Sequence, residues 1–281
     1  MVVIEKFWDW FSQNDLAQWD MLEAVVAGTA FGFWVMVYRA MDQIPFFAKF
    51  RFSKDKPLPL FRPDAPNAWI PLVLYISLIR VYHWYYPKPS YGLETPTEFR
   101  IMIEVLEGII YYDFIFFWIH LFMHKNPKLN WFFQHDIHHS QKILCANEVQ
   151  HHSFIDGSLQ VIVNIIVQNI SLYAWFLNSN YRKHFISRLL HNIVITYMLT
   201  ETHAGYDGFW CMHRLFPTFI GGAKLHELHH KYGNRYYQPF FTYLDQIMEF
   251  VLCNHLHANM QRNDYGNYSN SDDYNDANKR Q

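Results

Sequence analysis

Charged side chains are scarce in this chain. Asp, Glu, Lys and Arg make up 17% of its 281 residues, against roughly 25% in ordinary soluble domains. The signs nearly balance, with 23 basic and 25 acidic residues, so there is no basic excess to serve a nucleic acid. Cysteine is sparse too. Cys145, Cys211 and Cys253 are odd in number and show no C-x-x-C spacing, which argues against a disulfide framework and for a reducing face. The opening stretch MVVIEKFWDWFSQNDLAQWD has no basic start, no unbroken apolar run and no small-residue cleavage site, unlike a signal peptide. It also lacks the Arg/Ser-rich look of a transit peptide. No Gly-rich dinucleotide fingerprint follows a strand-like segment.

Hydrophobic residues make up 51% of the chain and aromatics 19%. The length suits one substantial domain or two small ones. Five stretches approach the roughly 20 apolar residues needed to cross a bilayer: 24–40, 68–86, 101–124, 158–177 and 184–200. Segment 158–177 carries no charge, whereas 101–124 contains Glu104, Glu107 and Asp113, and 184–200 contains Arg188 and His191. The pattern predicts an all-α polytopic membrane protein with about four to five membrane helices, rather than a soluble helical bundle. Before the first stretch, an amphipathic helix would set Trp8, Trp10 and Trp19 at the lipid boundary.

The loop 41–67 carries Lys49, Arg51, Lys54, Lys56 and Arg62, which the positive-inside tendency places in the cytosol. If all five stretches cross, 125–157 and everything after 201 share that side, as a histidine-rich cytosolic cap. The expected organisation is 1–100 for the amphipathic helix and first membrane helices, 101–252 for the catalytic region, and 253–281 for a polar, disordered tail.

Histidine is the outlier, with 17 residues. WIHLFMH gives His120 and His124, HDIHH gives His135, His138 and His139, and EVQHH gives His151 and His152. ETHAGYD adds His203, and HELHH adds His226, His229 and His230. On a helix, H-x-x-H-H aims its outer pair and its i,i+3 pair at overlapping patches, so one turn can feed two adjacent metal ions. A tetrahedral zinc site uses four ligands, and two metal ions at four to five imidazoles each account better for so many donors. Imidazole suits zinc, copper, iron and nickel alike. His83, His184, His191, His213, His255 and His257 are isolated and expected outside the site. HELHH also fits H-E-x-x-H, with His226 and His230 as zinc ligands and Glu227 as the base of a metalloprotease. That reading leaves His229 and the earlier clusters unexplained.

These motifs resemble the fatty acid hydroxylase / sterol desaturase superfamily of membrane di-iron oxygenases, most closely its C-4 methylsterol oxidase branch. The resemblance is carried by DFIFFWIHLFMH, HDIHH, EVQH, ETHAGYD, GGAKLHELHH and FFTYLDQI, over about 110–248. Leu121 stands where the family usually has Arg, His152 where it has Pro, and IMEF where it has Phe-Gly-Thr. The resemblance implies two iron ions and O₂ as co-substrate. The implied ligands are His120, His124, His135, His138, His139, His203, His226, His229 and His230, with His151 or His152. Asp113, Glu148 and Asp207 are candidate acceptors for ligand N–H groups, although helix capping or an ion pair would equally explain Asp113 and Asp207. Tyr206 would line a substrate channel or simply pack.

The implied reaction hydroxylates or desaturates a sterol or long-chain lipid, with electrons from a cytochrome b5-like protein or a reductase. The implied setting is the endoplasmic reticulum membrane with the metal site facing the cytosol, or another intracellular membrane such as the mitochondrial inner membrane. The competing class is a non-catalytic subunit of a larger membrane complex that kept the fold.

Overall fold

The computed structural model describes residues 2–54, 70–85, 95–140, 143–176 and 182–252. Helices α1 (Val2–Ser12) and α2 (Asp15–Gln18) lead into α3 (Leu22–Asp42) and the single turn α4 (Pro45–Ala48). Next come α5 (Ile70–Tyr85), α6 (Glu98–Lys125), α7 (Pro127–Phe133) and α8 (Asp136–His139). A 3₁₀ turn at Ala146–Gln150 precedes α9 (Phe154–Asn169) and α10 (Leu172–Phe176). Then follow α11 (Phe185–His203), the turn α12 (Met212–Leu215) and α13 (Gly222–Tyr232). Among the described residues, extended pairing is limited to the isolated bridges Arg51–Tyr206 and Ile220–Phe241. The chain is an all-α membrane protein.

Among the described residues, three segments are long and apolar enough to cross a membrane: Leu22–Asp42, Glu98–Lys125 and Phe154–Phe176. Helix α6 qualifies by length and composition, and the acids that had argued against a lipid-facing span turn inward. Glu104 is fully buried, pairs with Arg100 at 2.8 Å and accepts the His184 N–H at 2.7 Å. Glu107 accepts from Ser171 Oγ at 2.7 Å and from the Tyr173 N–H at 3.0 Å. Ser171 and Tyr173 sit where α9 gives way to α10, so the stretch expected as one continuous span is broken, with Glu107 satisfying the break.

Helix α11 packs against α3, α6, α9 and α13, which explains its polar sequence. Arg188 bonds Glu23 of α3 at 2.6 and 3.1 Å. Asn192 bonds Tyr75 of α5 at 3.2 Å, and Gln168 and Asn164 of α9 at 3.0 and 3.1 Å. His191 bonds Asn164 at 2.9 Å. Polar groups at this depth are tolerated when they face the bundle and pair with each other. This helix is therefore wrapped by protein, and lipid-facing hydropathy is the wrong criterion for it.

One expectation needs correction. Trp8 is not at a lipid boundary: it is buried, edge-on to His184 at 4.5 Å, in a cluster with Phe11, Ile101 and Phe185. Trp10 and Trp19 are exposed. Arg51, one of the basic residues of 41–67, is buried against Asp42 at 2.6 Å. Asp42 also accepts from Tyr206 Oη at 2.7 Å, so Tyr206 packs here. Lys56 and Arg62 lie outside the described residues.

The chain divides into compact units Met1–Thr242 and Tyr243–Gln281. In the second unit the described residues, 243–252, are helical. The expected disordered tail, with Cys253, His255 and His257, lies outside the described residues, as does the side chain of His83.

Candidate metal centre

Local chain geometry delivers the histidines to one place. Thr97 starts α6 by accepting the Arg100 N–H at 3.1 Å, and the helix runs 28 residues to set His120 and His124 in its last turns. Asn126 ends it and caps α7 by accepting the Lys128 N–H at 3.0 Å, with Pro127 in the first turn. Proline is favoured there, since that N–H has no helical partner. Gln134 then takes a left-handed conformation (φ 53°) and turns the chain into α8. In the ETHAGYD turn, Gly205 has φ +72°, and a Cβ there would lie 2.4 Å from the Leu144 carbonyl oxygen. Only glycine fits that conformation and that contact.

Two groups of imidazoles converge. His120, His124, His135 and His139 form one, and His138, His203, His226 and His230 the other, with ligand atoms in each within 4.8 Å of one another. His229 joins the first, its Nε2 lying 3.2 Å from that of His139 and its ring 4.4 Å from that of His120. The two H-x-x-H-H boxes are shared reciprocally. HDIHH sends its i,i+4 pair to the first cluster and His138 to the second, whereas HELHH sends its i,i+4 pair to the second and His229 to the first.

The hydrogen bonds behind the rings decide which nitrogen points inward. Nδ1 of His120 lies 2.8 Å from the Tyr237 carbonyl, and that of His229 lies 2.7 Å from the Arg235 carbonyl. His138 and His203 make the same bond to the carbonyls of His151 and Leu199, at 3.1 and 3.0 Å. His135 Nδ1 lies 2.8 Å from Asp156 Oδ2. These oxygens can only accept, so each of these Nδ1 atoms carries the proton and each Nε2 presents a lone pair. The inward nitrogens approach to 2.9 Å between His226 and His203, 3.1 Å between His139 and His135, and 3.3 Å between His203 and His138. His138 and His203 both carry their proton on Nδ1, so between them two lone pairs face each other and repel unless a cation lies between them. The donor set therefore fits metal ions, and the carbonyl and carboxylate backing is the usual support of metal-bound histidine.

Burial, then neighbouring imidazoles, hold His138, His139, His226, His229 and His230 well below the ordinary histidine range. These rings are neutral at physiological pH, the form that ligates metal.

The other expected site residues fall elsewhere. His151 contributes its carbonyl, and its ring is 3.1 Å from Ser140 Oγ. His152 is buried and bonds the Ser153 carbonyl at 3.0 Å. Neither ring is in the two converging groups. Asp113 accepts from the N–H groups of Phe240 and Phe241 at 2.7 and 3.1 Å and from Gln238. It thus holds the loop whose Tyr237 carbonyl backs His120. Glu148 is buried beside Asn147 and Cys145. Asp207 bonds His213 and Arg214, away from the two clusters. Sequence reasoning missed Asp156, whose position three residues after Ser153 reads as the first turn of a helix. Ser153 indeed caps that turn by accepting the Asp156 N–H at 3.1 Å.

A cavity of about 140 Å³ is lined by Tyr75, Tyr112, His152, Asn164, Thr196 and Leu199 among mostly apolar residues. Leu199 is the residue whose carbonyl backs His203. Asn164 and Tyr75 belong to the polar network around Asn192.

A cholesterol 25-hydroxylase-like protein of Caenorhabditis briggsae is 25% identical over 260 residues, which cover 88% of this chain and 82% of that protein. One of Danio rerio is 29% identical over 176 residues, covering 62% and 66%. Cholesterol 25-hydroxylase of Rattus norvegicus is 29% identical over 188 residues, covering 65% and 59%. No solved structure matches the chain. The sequence profile of the fatty acid hydroxylase family matches residues 105–249, a span that holds every histidine of both clusters, and the chain belongs to that family.

Proposed function

We propose that this protein hydroxylates an unactivated carbon of a sterol or related long-chain lipid, with two iron ions, O₂ and externally supplied electrons. The observation that carries the reading is the pair of facing imidazole clusters, together with the apolar cavity partly lined by Leu199. Iron, when bound, supplies the redox change that O₂ activation needs and that zinc cannot supply. His120, His124, His135, His139 and His229 would hold one ion, and His138, His203, His226 and His230 the other. The groups behind His120, His135, His138, His203 and His229 keep their Nε2 atoms unprotonated and aimed inward.

The cavity orients the substrate and keeps water away. An apolar space of about 150 Å³ accommodates a benzene-sized group, and this one measures about 140 Å³. It suits the end of a lipid chain rather than a whole ring system. The relatives named as cholesterol 25-hydroxylases support side-chain oxidation over attack on ring methyl groups. The protease reading loses its ground, because His226 and His230 share their cluster with His138 and His203. Four imidazoles fill a tetrahedral zinc shell and leave no open position for a hydrolytic water.

Electrons would come from a cytochrome b5-like protein or a reductase, since the chain carries no dinucleotide fingerprint of its own. The setting we favour is the endoplasmic reticulum membrane with the clusters facing the cytosol. The test is metal analysis of purified protein together with sterol profiling of cells that gain or lose it. Two irons per chain and a hydroxylated sterol are expected. Metal-free protein with unchanged lipids would instead favour the non-catalytic subunit.

A further inference from the structure

Outside the two imidazole clusters, Glu201, Cys211 and His213 bring a carboxylate, a thiol and an imidazole together. Their ligand atoms all lie within 4.8 Å of one another, and all three side chains are buried. Glu201 comes from the last turn of α11, while Cys211 and His213 come from the cap and first turn of α12.

The protonation pattern follows from the neighbours. Arg214 donates two bonds of 2.6 Å to Asp207 and holds its carboxyl down at about 2, so Asp207 is charged and can only accept. His213 Nε2 lies 2.9 Å from Asp207 Oδ1 and therefore carries the ring proton. That leaves Nδ1 as a lone pair. It is buried, has no hydrogen-bond partner, and faces Glu201 Oε1 at 3.9 Å. The third donor is a thiol: Cys211 Sγ receives the Gly208 N–H at 3.3 Å and donates to the Tyr206 carbonyl at 3.4 Å, and burial pushes it up to about 12, so a bound metal displaces its proton. A lone pair, a carboxylate and a sulfur thus converge. The 3.9 Å gap is too wide for a shared proton to close as a hydrogen bond.

We propose that Glu201, Cys211 and His213 bind a zinc ion, a third metal site distinct from the imidazole clusters. Sulfur, nitrogen and oxygen donors together match the borderline character of zinc, and a histidine whose far nitrogen donates to a carboxylate is its usual ligand form. Bonds of about 2.0–2.3 Å place tetrahedral donors roughly 3.5 Å apart, so small side-chain shifts close the site. A water takes the remaining position. Gly222 of α13, with φ +47°, lies against the same spot, where a Cβ would be 3.2 Å from Glu201 Oε2 and 3.4 Å from His213. The ion would therefore tie together the segments that carry His203 and His226.

The test uses the full chain, purified in detergent and loaded with cobalt in place of zinc. Neither imidazole cluster contains sulfur, so a thiolate-to-cobalt charge-transfer band reads this site alone, whatever the imidazole clusters bind. Wild type and the Cys145→Ser/Cys253→Ser double variant should both show the band. Cys211→Ser should lose it, together with one equivalent of zinc. Zinc-edge X-ray absorption of the zinc-loaded double variant gives a reading that needs no change at Cys211: a sulfur scatterer at about 2.3 Å is expected. Folded wild-type protein showing neither the band nor that scatterer would mean that the three donors hold protons only, and the proposal would be overturned.

Discussion

The Nδ1 atom of His135 lies 2.8 Å from the Oδ2 atom of Asp156, and both side chains are buried. The bond fixes the tautomer of His135 and aims its Nε2 at the first cluster. Loss of such a partner typically costs 10–100-fold in metal affinity or activity. Asp156→Ala should therefore fall by about that factor in hydroxylation, whereas Asp156→Asn, which keeps an acceptor oxygen, should be partly rescued. Equal activity in Asp156→Ala and wild type, measured per metal-loaded molecule, would remove Asp156 from the machinery.

Asp113 acts one step further out. Its carboxylate holds the N–H groups of Phe240 and Phe241, which lie just beyond the Tyr237 carbonyl that backs His120. Asp113→Ala orphans buried donors, at about 1–3 kcal/mol each, and frees that carbonyl. Lower thermal stability and reduced metal occupancy are expected together, read by unfolding curves and metal analysis of the same samples. A variant that kept full occupancy while losing stability would confine Asp113 to folding.

His138 and His229 belong to different clusters although each is the inner histidine of its box. His138→Ala and His229→Ala should each abolish turnover while leaving membrane insertion intact, because α8 and α13 lie outside the spanning segments. Lipid profiles normalised to inserted protein make the check. Profiles unchanged by both substitutions and by deletion of the protein would favour the subunit reading.

Lys183 offers a pH test away from the metal centre. Its amine is buried without a hydrogen-bond partner, near Glu104 and Glu107 of α6 and His191 of α11. Burial lowers it from 10.5 to about 8, with the two glutamates opposing the shift. Below pH 8 both folded and unfolded chains carry the charge, and the folded state bears the full cost, roughly 3 kcal/mol. The cost shrinks as pH rises through 8 and vanishes above the unfolded value of 10.5. Lys183→Met should therefore raise the melting temperature at pH 7 and lose that advantage near pH 10.5. A lower melting temperature at pH 7 would show the lysine to be stabilising.

Much of the centre was legible because its determinants are local. Imidazoles at i,i+3 and i,i+4 share a helix face whatever surrounds them, so the boxes announced convergent groups of imidazoles. Asp156 was hidden because Ser153 and Asp156 look like an ordinary helix start, and they are one. For Asp207 the sequence left two readings open, an acceptor behind the ligands or an ion pair, and the pairing with Arg214 and His213 is the second. The Glu201, Cys211 and His213 group has no motif, since Glu201 sits inside a helix whose sequence already accounts for it.

The helical class, the membrane character and the count of imidazoles were written in residue type and spacing, properties that need no partner segment. Assignment of each ring to a cluster was not. His139 meets His229 across 90 residues of chain, and His120 is backed by a carbonyl 117 residues away. Such contacts exist only once α6, α8, α11 and α13 have packed. The inward lone pairs that make a metal site follow from which carbonyls that packing places behind the rings.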